Sequence, residues 1–329
     1  MSVVFLKAVA AKFRPRCGAR RAAFSLVELL VVIGIIGLLL ALLIPAVQSA
    51  RESSRCATCK NNLRQIAMGL ASFESAHRRL PPGKKWSGPP SDPASFALAW
   101  SSFLLDHVDE EAIHNQINFK RPFTDPANLP ATTQVIPVYL CPSTSAVEDH
   151  RTPDGHLTNL GGIPGERLGC IDYLGISGPD KDAKHPITKQ VYGRQRGVLI
   201  GTKGLPLEEE LIEPPPIISS KIVDGLSKTM CISECTGRGV SIQDGAIDAL
   251  HGAWASGNNV THIDDGINGS DLPKAWYKER IHSDHPGGAH LVMCDASVHF
   301  FTDDTSKKLL FWMATRDGEE DIAAEVFDD

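Results

Sequence analysis

The strongest pattern along the chain is a run of nineteen uncharged residues, Leu29 to Val47, reading LLVVIGIIGLLLALLIPAV. At about 1.5 Å per residue this run nearly crosses a hydrocarbon core of roughly 30 Å, so it predicts a membrane helix. Behind it the pattern changes without stopping. Leu63, Ile66, Ala67, Leu70 and Phe73 recur at three-and-four spacing, which predicts one apolar face on a continuing helix. A single helix over 24–79 is expected, lipid-facing in its first half and packed on a folded body in its second. Pro45, with no N–H to donate, is expected to kink it.

Leu80-Pro-Pro-Gly opens a proline-rich stretch over 80–95 that cannot continue a helix and reads as a linker. The body is expected over 96–329. Residues 96–118 carry apolar positions at helical spacing, predicting two short helices broken around Val108. Further on, short apolar runs separated by Gly, Pro and Asp predict strands: Val135–Cys141, Cys170–Ile176, Gly197–Ile200, Ile217–Val223, Thr229–Glu234, His290–Cys294 and Val298–Phe301. The expected fold class is α+β, a long N-terminal membrane-spanning helix packed on a mainly antiparallel sheet domain.

Charge sharpens this picture. Residues 1–23 hold six cations (Lys7, Lys12, Arg14, Arg16, Arg20, Arg21) and no acid, the pattern of a basic leader. They should hold the N-terminus in the cytoplasm and send the chain beyond Val47 across, giving a single-pass protein of the cytoplasmic membrane with its body periplasmic or at the cell surface. The whole chain has 33 basic and 39 acidic residues, a net −6; without the leader it has 27 against 39, or −12. An acidic body is a poor general partner for nucleic acid.

Glu28 is a lone carboxylate inside the apolar stretch that begins at Phe24. An ionised group within a membrane costs on the order of 3 kcal/mol, so it calls for a partner. A cut before Phe24 creates one, because the new α-ammonium of one subunit can neutralise Glu28 of another. Ala22-Ala23-Phe24-Ser25-Leu26-Val27-Glu28 resembles the cleavage and methylation motif of type IV prepilins and type II secretion pseudopilins. The resemblance implies cleavage after Ala23 by prepilin peptidase, N-methylation of Phe24, and assembly with other pilin-like subunits through the helix. The family prefers Gly before the cut, where this chain has Ala23.

The body resembles a second family, the DUF1559 proteins. The matching pieces are Cys59-Lys-Asn-Asn-Leu-Arg-Gln-Ile, Trp100–Asn118, Leu140-Cys-Pro-Ser143, Asp172-Tyr-Leu-Gly175, Ile222–Thr229 with Glu234, and a C-terminal block beginning His285-Pro-Gly287-Gly288. That block ends in Asp295-Ala296 where the family has Asp-Gly. Asp-Gly between apolar strands is a hairpin signal because Gly accepts positive φ, so Ala296 implies either a different turn or a strained one. His285 is expected to cap the loop and Asp295 to order the turn.

The candidate chemistry is sparse. His282, Asp284, His285, His290, Asp295 and His299 lie close in sequence, but their spacing matches no zinc signature. Cys56 and Cys59 have CxxC spacing, with Cys231 and Cys235 as a conceivable second half, yet they fall inside the predicted helix. Disulfides between Cys59 and Cys141, or between Cys231 and Cys235, stand as alternatives. Seven cysteines lie beyond the leader, an odd number. No nucleophile elbow, phosphate loop or paired-carboxylate site stands out. The expectation is therefore a non-catalytic, pilin-like structural subunit with neither metal nor cofactor. The alternative is a membrane-tethered protein that binds a carbohydrate through loops 257–288 (Trp254, Asn258, Asn259), or calcium at Asp264-Asp265-Gly266-Ile267-Asn268.

Overall fold

A computed structural model describes residues 25–85, 97–144, 168–185, 188–201, 216–238, 252–269 and 280–319. The chain divides into two compact units at Ala50/Arg51. The described residues of the first form one apolar helical segment. The second holds the remainder of that helix and the α+β body.

Helix α1 is continuous over Leu26–His77, through Pro45. Its start is a capping box: the Ser25 N–H donates to Glu28 Oε2 at 2.9 Å, and the Glu28 N–H donates to Ser25 Oγ at 3.1 Å. Two of the donors orphaned at a helix start are thereby satisfied. In the first unit the large apolar side chains from Leu26 to Val47 are each 44% to 73% exposed. In the second unit α1 becomes one-sided, burying Cys59, Leu63, Ile66, Ala67, Leu70 and Phe73, the face the spacing predicts.

After α1 come two short strands, β1 (Lys84–Lys85) and β2 (Leu98–Ala99), paired antiparallel. Then come short helices: α2 (Trp100–Phe103), α3 (Glu111–His114) and α4 (Leu129–Thr132). The break between α2 and α3 lies just past Val108, where Asp109 takes a φ of 64° that no helix interior allows.

The main sheet contains β3 (Tyr173–Pro179), β4 (Met230–Glu234), β5 (Val260–Ile263), β6 (Gly288–Met293) and β7 (Val298–Thr302), in spatial order β5-β3-β4-β6-β7. Every pairing is antiparallel except β3 with β5. The strands β3, β4 and β6 are almost wholly buried because both faces are covered. On one face Tyr173, Ile232 and Val292 pack with Leu63, Ile66 and Leu70 of α1. On the other, Ile176, Leu291 and Met293 pack with Leu310, Trp312 and Met313 of a last helix, α5 (Lys307–Met313). The strand period of two thus assigns Ile232 and Glu234 to the α1 face.

Two expected strands are not strands. Pro137–Tyr139, within Val135–Cys141, forms a 3₁₀ turn, as does Ser219–Lys221 within Ile217–Val223. Pro137 has no ladder donor. Gly197–Ile200 joins no ladder of the main sheet, although Leu199 N–H donates to the Ile176 carbonyl at 3.1 Å. The edge strand β5 lies outside all the runs read from the sequence, its exposed His262 masking the apolar pattern of Val260 and Ile263.

Candidate functional site

The α1 face of the sheet carries a buried polar cluster at the end where β4 finishes. Helix α1 supplies Glu52, Cys56 and Cys59, spaced four and three apart and so in line with Leu63 and Ile66. The turn after Tyr139 supplies Cys141, β4 ends on Glu234, and the turn entering β6 supplies His285, with His290 inside β6. Register sets Tyr173 opposite Glu234.

Each ligand-type atom is held by others. His285 Nδ1 lies 2.7 Å from Glu52 Oε1, and Ser143 Oγ donates to the same oxygen at 2.8 Å. A carboxylate only accepts, so Nδ1 carries the proton and Nε2 faces inward. There it lies 3.4 Å from Cys141 Sγ and 3.6 Å from Glu234 Oε1. Glu234 is gripped by β6, accepting from the His290 N–H at 2.8 Å and from His290 Nδ1 at 2.9 Å. Cys59 Sγ is 3.1 Å from the Tyr173 hydroxyl, and Cys56 Sγ is 3.8 Å from His290 Nε2. The Cys141 turn is pinned twice: its N–H donates to buried Asp172, and Asn62 of α1 donates to the Leu140 carbonyl, both at 2.9 Å.

The electrostatics arise from this packing. Burial opposes ionisation of Glu234, but hydrogen bonds from the His290 ring and N–H, with the nearby imidazoles, hold its carboxyl below the usual range. Glu52 behaves alike: burial is outweighed by hydrogen bonds from His285, Arg55 and Ser143. Burial likewise disfavours protonated His285, yet the hydrogen bond to Cys141 and the charge of Glu234 raise it to about 9. Hydrogen bonding with Cys59 lowers the Cys141 thiol, while burial pushes Cys59 up.

Cys141, His285 and Glu52 stand in the order of a thiol nucleophile, its base and an orienting carboxylate. Cys141 is only 2% exposed and His285 only 3%. Attack on a substrate needs an accessible sulfur, and among the described residues this one is covered.

The other predicted site residues are spread more widely. Ala23 and Phe24 lie outside the described residues. Glu28 is in the capping box. Gly287 has φ 83°, and a Cβ on Gly288 would sit 2.0 Å from the Phe301 carbonyl. The first glycine thus serves the turn and the second the close approach of β7. Asp295 is at the far end of the β6–β7 hairpin from His285, where its Oδ1 accepts the Ser297 N–H at 2.9 Å. Ala296 adopts φ 69°, so the strained version of the turn forms.

Of the six His and Asp residues grouped by sequence, His285 and His290 enter the buried cluster and the other four do not. His282 pairs with Asp284 at 3.5 Å and His299 with Ser297 at 2.9 Å. Cys231 does not pair with Cys235. A four-residue strand offset is roughly 13 Å, and Cys231 Sγ instead donates to the Val292 and Met293 carbonyls at 3.5 and 3.7 Å.

The described residues of the proposed ligand loop are tied into the fold. Trp254 and Asn259 are fully buried. Trp254 Nε1 donates to the Gln134 carbonyl at 2.9 Å, and Asn259 Nδ2 to the Trp254 carbonyl at 2.8 Å. The Asn258 carbonyl accepts from Arg238. Asp264 and Asp265 bind Arg280 at 2.8 and 2.6 Å, and Asp265 also binds Lys307 at 3.0 Å, so the calcium-like carboxylates already have cations.

Sequence reasoning missed Glu52 and never joined Glu234 to His285. The available signal was Glu52-x-x-x-Cys56-x-x-Cys59 in register with the apolar stripe of α1. No curated protein and no solved structure matches the chain. Residues 18–44 match the prokaryotic N-terminal methylation motif, carried by type IV pilin-like substrates of prepilin peptidase. Residues 48–308, most of the chain, match the model described as protein of unknown function DUF1559, and the chain belongs to that family.

Proposed function

We propose that this protein is a membrane-anchored, pilin-like structural subunit, cut after Ala23 by prepilin peptidase, methylated at Phe24, and assembled with like subunits through α1. Its body would lie outside the cytoplasmic membrane. The observation that carries this reading is the methylation motif at residues 18–44 overlapping the start of a helix whose large apolar side chains, Leu26 to Val47, are exposed. Such a surface needs lipid or sister helices around it. Burial of Cys141 and His285 favours a structural over a catalytic role for the body. Mass spectrometry of the chain isolated from membranes tests the proposal: a mature N-terminus at N-methylated Phe24 is expected, and an intact residue 1 would overturn it.

A further inference from the structure

The donor atoms of Cys59, Cys141, Glu234 and His285 all lie within 4.8 Å of one another. They come from four separate places in the sequence, a helix, a turn, a strand end and a hairpin entry. All four residues are buried, none more than 3% exposed. A tetrahedral zinc ion with bonds of about 2.3 Å to sulfur and 2.0–2.2 Å to nitrogen or oxygen sets its ligand atoms about 3.3–3.8 Å apart. Two edges at His285 Nε2, 3.4 Å to Cys141 and 3.6 Å to Glu234, fall in that range.

The surroundings suit a metal as well. Glu52 on His285 Nδ1 forms the carboxylate–histidine arrangement that fixes the tautomer and aims Nε2 at an ion. His290 orients Glu234 from the other side through two hydrogen bonds and leaves lone pairs on its oxygens. A disulfide between Cys59 and Cys141 would use neither the imidazole nor the buried carboxylate.

We propose that Cys59, Cys141, Glu234 and His285 bind one divalent transition-metal ion, zinc by their donor set, in a closed structural site. Two thiolates, one imidazole and one carboxylate suit borderline-soft Zn²⁺, and a four-ligand set without an open position is that of a structural site. On loading, hydrated Zn²⁺ loses its waters, and the protons of both thiols and of His285 Nε2 leave to solvent. The ion fastens the Arg51–His77 part of α1 to the sheet and to the Cys141 turn. Glu52 is a positioning residue. This inference concerns the body alone and stands whether or not the N-terminus is processed.

The test uses the full chain, purified in detergent with reductant and without chelator. Elemental analysis should find zinc near one equivalent per chain. Exchange for Co²⁺ should give the intense visible bands of a tetrahedral ion and a near-ultraviolet thiolate-to-cobalt band. Cys59→Ser and Cys141→Ser should each at least halve that band, whereas Cys231→Ser, buried elsewhere, and Cys56→Ser should keep it. Glu52→Gln, which leaves all four ligands in place, should weaken Zn²⁺ binding about 10- to 100-fold with the cobalt bands retained. The proposal fails if the reduced, folded chain gives no thiolate-to-cobalt band. It fails equally if Cys56→Ser removes the band while Cys141→Ser keeps it. Recovery of Cys59 and Cys141 as a disulfide from zinc-free native chain would also overturn it.

Discussion

Ala296 shows how a single residue records a conflict between turn and side chain. Its φ of 69° lies where a Cβ crowds the backbone, yet the β6–β7 register requires it: Val292 pairs with Val298, and the Met293 N–H donates to the Ser297 carbonyl at 2.9 Å. The strain is about 1–2 kcal/mol. Replacing Ala296 with Gly should therefore stabilise the chain by about 0.5–1 kcal/mol, the relief exceeding the added freedom of glycine in the unfolded state. Chemical denaturation of the two chains in the same detergent measures it. A loss of stability would mean that the packing of the Ala296 methyl matters more. The neighbouring Asp295 was legible as a turn residue because its action is local, on the N–H two residues ahead. His285 was legible as a loop cap and as one of six histidines and aspartates close in sequence, but its ring reaches Glu52, 233 positions away.

Elements meet through a few charged contacts as well as through the core. Helix α5 begins with Lys307, a cation at the end of a helix that disfavours one. Asp265, just past β5, compensates it and also holds Arg280. Burial alone would raise the Asp265 carboxyl, but hydrogen bonds from Lys307 and the Gly266 N–H, with the two cations, hold it below its ordinary value. A depressed folded pKa means stability that is complete above the unfolded value, about 3.9, and lost as pH falls through the folded one. Asp265→Asn should accordingly lower Tm at neutral pH, and the gap from the parent chain should close as pH falls below the ordinary carboxylate range. A gap independent of pH would assign the effect to shape instead of charge. Helix α5 itself was not read from the sequence. Seven residues span barely two turns, and its N-cap Ser306, which accepts from the Leu309 N–H, is a weak signal alone.

For the whole molecule, the proposed assembly turns on Glu28. The capping box with Ser25 satisfies it within one chain, so a carboxylate at this position has a local explanation beside the intersubunit one. Glu28→Gln separates the two, since glutamine also completes a capping box but cannot neutralise an ammonium. If subunits dock through the Phe24 amine, this variant should still be inserted and cleaved, yet lose crosslinking between neighbouring α1 helices. Crosslinking equal to that of the parent chain would reduce Glu28 to a helix cap.

The amino-acid sequence alone determined the features whose causes lie among neighbours. These are the membrane helix, from length and apolarity; the buried stripe from Leu63 to Phe73, from three-and-four spacing; the processing motif; and the β6–β7 hairpin. It misplaced Val135–Cys141 and Ile217–Val223 because an apolar run becomes a strand only when a partner ladder is there to accept it. Tertiary structure decided the rest. Cys59 and Cys141 were legible as one alternative disulfide pair, Cys59 on the helix and Cys141 at the end of an expected strand. Their meeting with Glu234 and His285 depends on β4 lying between β3 and β6, and on α1 covering that face of the sheet. No local pattern encodes such a convergence, because it is set by strand order and by which face is covered.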